Sequence, residues 1–126
     1  MGYYSDVRAL VYGPTPKIDA MIAKHAMTSK INVFIDAWFK DNITVERCDD
    51  GTTIIDLRLE SIKWHSDYDG CHAWHLFMDI ATEEQFMDDV ACEFVRIGEN
   101  IDDNEHLCSG PINHWLNINR YISCEF

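Results

Sequence analysis

The chain contains no CxxC pair, no glycine-rich loop, no apolar run of about 20 residues and few bases. Its five cysteines (48, 71, 92, 108 and 124) are odd in number and widely spaced, the pattern of reduced thiols, so no disulfide is expected. The start MGYYSDVRALVYG is neither a basic region followed by an apolar one nor a membrane span, so the expectation is a soluble, intracellular protein. Asp6 stands where the myristoylation pattern needs Ser or Thr, which argues against acylation of Gly2. Prolines number only three and the six glycines stand singly, while 47% of residues are hydrophobic and 12% aromatic. That composition excludes a disordered or low-complexity chain and fits one globular domain over residues 1–126. GxSxG, the P-loop and HExxH are all missing, so the expectation is a protein that is not an enzyme and needs no cofactor.

What is present in excess is negative charge. Against 10 bases stand 22 acids, a net of −12. Residues 1–78 hold 11 acids and 8 bases, a net of −3; residues 79–126 hold 11 acids and 2 bases, a net of −9. Nucleic-acid affinity comes largely from lysine and arginine releasing counterions, so direct binding of DNA or RNA is disfavoured. The plain explanation is a solvated acidic surface; the specific one is a surface built to meet a basic protein.

Periodicity places the elements. Residues 7–13 read as a strand closed by Gly13 and Pro14. Thr15 as N-cap and Pro16 at the first helical position open a helix burying Ile18, Met21, Ile22, His25 and Ala26, with His25 a core or boundary residue. From Ser29 the phase restarts, and Ile31, Phe34, Ile35 and Trp38 predict a second helical segment, with a strand as the alternative. Asp50-Gly51 between two runs of β-formers predicts a hairpin with a type I′ turn. Ile55, Leu57 and Leu59 share one face, but Ile62 and Trp64 take the opposite parity, which predicts a bulge near Glu60 and Ser61. Trp74, Phe77, Met78 and Ala81 are helically spaced and should anchor a helix showing His75 and Asp79 outward. ACEFVRIGE reads as a strand buried on both faces, NIDDNEHLCSGP as an acidic loop, and residues 112–126 as one long alternating strand. The order predicts a two-layer α+β sandwich, a mostly antiparallel sheet with helices on one face, ferredoxin-like or a near variant.

Chemistry is concentrated in KWHSDYDGCHAWH, residues 63–75. A structural zinc site wants two closely spaced ligand pairs; here there is one dense stretch and no matching second pair. On a helix Cys71 and His75 share a face while His72 is rotated away, so a metal site would combine His65, Cys71 and His75. The preferred expectation is that the tryptophans serve the core and no metal binds. Cys71 next to His72 is no catalytic pair, because neighbours on a helix point apart. The carboxylate doublets at 49–50, 83–84, 88–89 and 102–103 fall in predicted turns or on helix surfaces, where nothing separates their pKa values.

MGYYSDV at the start, IKWHSDY after the hairpin and FVRIGENIDD after the second helix together resemble a family of small uncharacterised proteins of tailed bacteriophages and prophages that open with the same seven residues. The segments come in the same order over about two thirds of the chain; SKINVFIDAWFKDN and CHAWHLF depart from it. The resemblance implies a phage accessory protein working in the host cell cytoplasm and brings no catalytic residues with it. Combined with the acidity, the preferred expectation is a protein that binds and inhibits a basic host protein, such as a component of CRISPR or restriction defence. The alternatives are a small metal- or ligand-binding factor using residues 65–75, or a structural or regulatory phage component. The expected partner surface is the outward face of the last strand, with Trp115 and Tyr121 as aromatic anchors and Glu99, Asp102, Asp103 and Glu105 as an acidic rim. A second copy of the chain is the other occupant that face would take.

Overall fold

The computed structural model of the chain describes residues 4–36, 39–64, 69–98, 104–110, 116–118 and 122–124. Strand β1 (Ser5–Pro14) runs into helix α1 (Thr15–Thr28), and one turn of 3-10 helix at Lys40–Asn42 precedes β2 (Ile43–Arg47) and β3 (Thr52–Ile62). Helix α2 (Asp69–Ile80) is followed by β4 (Ala91–Gly98), β5 (Asn104–Ser109), β6 (Leu116–Ile118) and β7 (Ile122–Cys124). The main sheet has the order β2-β3-β1-β4-β5, and every neighbouring pair is antiparallel. From β1 to β4 these are two interleaved β-α-β units, the ferredoxin-like arrangement, with β5 added beyond β4. The α+β sandwich read from periodicity is what the chain forms.

Alternation explains the helix-covered face. Val7, Ala9 and Val11 of β1, Ile55, Leu57 and Leu59 of β3, and Cys92 and Phe94 of β4 meet Ile18 and Met21 of α1 and Trp74 and Phe77 of α2 in one cluster. Full burial of such a side chain contributes roughly 1.5–3 kcal/mol. The bulge is present where parity breaks: Val7 faces Leu59 but Ser5 faces Ile62, so β3 spends one residue more than β1. That extra residue keeps Ile62 and Trp64 against the core.

The 48–52 hairpin forms, with a different turn. Gly51 donates its amide to Cys48 O (3.2 Å) and Cys48 donates to Thr52 O (2.8 Å), while Gly51 sits at φ 87°. This is a type I turn followed by a left-handed glycine, a three-residue loop in place of the two-residue type I′ turn. The Asp50 carboxylate accepts the Thr52 amide (3.0 Å) and helps fix it. At α1 the cap is Pro14, and the Thr15 hydroxyl pairs with that of Thr53 (2.8 Å).

Three expectations are corrected. The segment after Ser29 is a turn, because side chains take over the backbone bonds a helix would make. Asn32 Oδ1 accepts the Phe34 amide (3.0 Å), Asn32 O accepts those of Ile35 and Asp36, and the Ser29 hydroxyl donates to Ile31 O (2.7 Å). Trp38 lies outside the described residues. Residues 104–109, expected as loop, form β5, since the open backbone edge of β4 pairs with a segment whose own side chains carry little strand signal. The last stretch is two strands, β6 and β7, which pair with each other across a reversal between Ile118 and Ile122. β6 lies against β4 and β7 against β1. Both contacted strands are interior to the main sheet and their helix-side residues are already packed, so the small hairpin meets them on the other face. There Leu10, Ala91 and Val95 are fully buried.

Candidate functional site

Of the two candidate sites, the histidine and cysteine stretch is the more fully described. Cys71 is buried on the inward side of α2, His72 is exposed, and His65 lies outside the described residues. His75, expected outward, is half-buried against the rings of Trp64 (5.7 Å between centroids, edge-on) and Phe94 (5.0 Å). The bulge at Glu60 and Ser61 explains this: by carrying Trp64 inward it gives the imidazole an apolar wall. Burial lowers the His75 pKa, Glu105 and Asp79 oppose that, and the charge on His72 adds to the lowering. Among the described residues no three His, Cys, Asp or Glu side chains are grouped to hold one ion. Cys71 and His75 are thus brought to one side of α2, against the core.

The partner-binding candidates Trp115, Tyr121, Glu99, Asp102 and Asp103 lie outside the described residues. Glu105 is described and is not a free rim acid: its Oε1 takes Arg96 Nε at 2.8 Å, and Arg96 also donates to the Ser5 hydroxyl (3.1 Å). Of the carboxylate doublets, Asp49, Asp50, Asp88 and Asp89 are exposed in turns, Glu84 is exposed, and Glu83 pairs with Lys24. Residues 102–103 are outside the described part.

Absent from those expectations is the polar pattern on the second face of the sheet. Register places Arg58, Arg8, Val95 and His106 in one row, and Thr44, Asp56, Leu10, Glu93 and Cys108 in the next. Leu10 therefore separates two carboxylates, and each pairs with a base from the neighbouring row. Arg8 holds Asp56 through two bonds, Nε to Oδ1 at 3.3 Å and Nη2 to Oδ2 at 3.0 Å. Glu93, 0% exposed, meets His106 Nε2 at 3.1 Å. A buried carboxylate holding one ring nitrogen fixes the orientation of the partly exposed imidazole, an arrangement able to orient a proton donor or acceptor. The signal was a charged residue in the middle of ACEFV, a run buried on both faces, since a glutamate there demands a partner. Two further buried nitrogens, His25 Nδ1 and Trp74 Nε1, have no hydrogen-bond partner among the described residues.

A groove of about 500 Å³ lies between the turn after α2 and the end of β5, lined by Ala81, Thr82, Met87, Asp88, Ser109 and Gly110. The chain leaves β5 here at Gly110, at φ 77°, where an added Cβ would meet Val90 O at 2.0 Å. Asp79, Glu84 and Asp88, around the end of α2 and this turn, are exposed and make no ion pair among the described residues. Among the described residues no helix is long and apolar enough to cross a membrane. No protein-family model matches the chain, and neither does any curated protein or solved structure.

Proposed function

We propose that this is a bacteriophage accessory protein that binds a basic surface of a host protein and blocks it, a defence component that handles nucleic acid being the preferred target class. The observation that carries this is the −9 balance of residues 79–126. Part of that charge is neutralised within the fold: Arg96 takes Glu105, Lys24 takes Glu83, and Lys17 lies 3.9 Å from Asp89. Asp79, Glu84 and Asp88 are exposed, without an ion pair among the described residues, and supply a negative field beside the apolar lining of the groove at Met87. Such a field steers a basic protein toward its site and weakens as salt screens it. The phage origin rests on the resemblance carried by MGYYSDV, IKWHSDY and FVRIGENIDD.

The test is affinity purification from host lysate across a salt series, followed by kinetics with the recovered protein. Replacing Glu99, Asp102 and Asp103 by their amides slows association and flattens its salt dependence, and Trp115→Ala speeds dissociation; Glu105, held by Arg96, is left unchanged. An equivalent set, Asp79→Asn, Glu84→Gln and Asp88→Asn, maps the second acidic group. If every variant matches the parent in both rates, the acidity is only a solvated surface.

A further inference from the structure

Resting on that reading of the acidic half, we propose that the groove between the turn after α2 and the end of β5 is the seat of one arginine side chain projecting from the basic partner. The polar side chains that line the groove have their donors already committed. The Thr82 hydroxyl donates to Asp79 O at 2.7 Å, the Ser109 hydroxyl is bonded to the Cys92 side chain, and the Asp88 carboxylate has acceptors only. What these groups still offer is lone pairs, so the occupant must bring donors. Ala81 and Met87 line the groove beside Asp88, so it must also carry an apolar stretch next to those donors.

Lysine and arginine both join an aliphatic stem to a cationic head. Arginine fits better, because its planar head carries five donors and no acceptor and can serve a carboxylate and a hydroxyl together. An anionic occupant would oppose Asp88, and a purely apolar one would strip water from that carboxylate without replacing it.

The bases of α1 that lie against this turn are engaged elsewhere. Lys17 donates to Gln85 O at 2.8 Å and lies 3.9 Å from Asp89, and Lys24 pairs with Glu83. Among the described residues Asp88 therefore has no base, although Asp89 beside it has one. Asp79 adds to the same field. The Cys92 thiol, raised chiefly by burial, is raised further by the Asp79 charge, and Cys92 is paired with Ser109 across β4 and β5. That puts a second carboxylate near the β5 end of the groove. Leu107 is 43% exposed and, by alternation, on the Ser109 side of β5, where it forms an apolar shelf for a residue next to the arginine.

The test titrates the intact chain with N-acetyl-arginine amide and follows the backbone amide resonances. The expected result is saturable shifts confined to Thr82, Met87, Asp88, Ser109 and Gly110, with a Kd of about 1–10 mM for a single side chain. The lysine analogue should bind about two- to fivefold more weakly, and the citrulline analogue, which keeps the shape and loses the charge, about tenfold or more. Asp88→Asn should weaken arginine binding by about fivefold or more. Citrulline binding as well as arginine overturns the proposal. So do shifts spread over all the exposed acids and unaltered by Asp88→Asn. If this titration fails while a basic host protein is still recovered, the partner is held elsewhere and the groove assignment alone falls. If the groove takes arginine and no host protein is recovered at any salt, the groove assignment stands and the host-protein reading falls.

Discussion

The two faces of the central sheet are built on opposite principles. The helix-covered face is almost wholly apolar, and Trp74 and Phe77 are fully buried there. Its histidines are accommodated as neutral groups: burial lowers the pKa of His25, whose Nε2 accepts the Val33 amide at 3.2 Å and whose ring meets Phe77 edge-on. The second face carries a small apolar cluster, Leu10, Tyr12, Ala91 and Val95, threaded with pairs of opposite charge. Burial alone therefore does not define a face of this molecule. One face excludes charge, while the other neutralises it by pairing, which is more costly and ties specific strands together.

The largest effect should come from the apolar face. Trp74→Ala is expected to cost roughly 3–5 kcal/mol in urea unfolding, because a large cavity opens between α2 and the sheet. A loss below about 1 kcal/mol would place Trp74 outside the core and end the contrast. Next comes the paired face, where His106→Ala removes a partner from the buried Glu93 carboxylate. The expected cost is about 1–3 kcal/mol by the same measurement. If that variant is as stable as the parent, the pairing on this face is incidental.

Smaller again is the response to acid. The folded pKa values of His25 and His75 lie below the ordinary histidine value, so on acidification the unfolded chain takes up protons first. Their contribution is complete above the unfolded value of about 6.5 and is lost progressively as pH falls below it, toward the lowered folded values. Unfolding free energies at pH 7.5, 6.5 and 5.5 should fall in that order, and His25→Phe should flatten the decline. An unchanged slope would mean that His25 accepts its charge without cost. The smallest expected effect is that of a chelator, which should leave the melting temperature unchanged. A drop of more than about 10 °C would show a metal within residues 65–75.

Much of the apolar face was legible. Parity along β3 located the bulge to within two residues, and the helical spacing of Trp74, Phe77 and Met78 located α2, because one side of each element must be apolar to be buried there. The paired face was not legible. Glu93 and His106 are 13 residues apart, on strands of which one reads as loop, and nothing local joins them. Glu105 illustrates the same limit: on composition it belongs to an acidic rim, while in the fold it belongs to Arg96. The remaining rim and anchor residues, including Trp115 and Tyr121, lie outside the described residues.

By itself the sequence determined the acidic balance, the apolar periodicities and the hairpin at Gly51, since composition and spacing are properties of neighbours along the chain. Tertiary structure decided what depends on distant partners. An open edge on β4 turned residues 104–109 into a strand and brought His106 of that strand to the buried Glu93. Pairing between β6 and β7 folded the last alternating stretch back on itself. In both cases the free energy lies in hydrogen bonds to another strand, which the spacing along a single element does not specify.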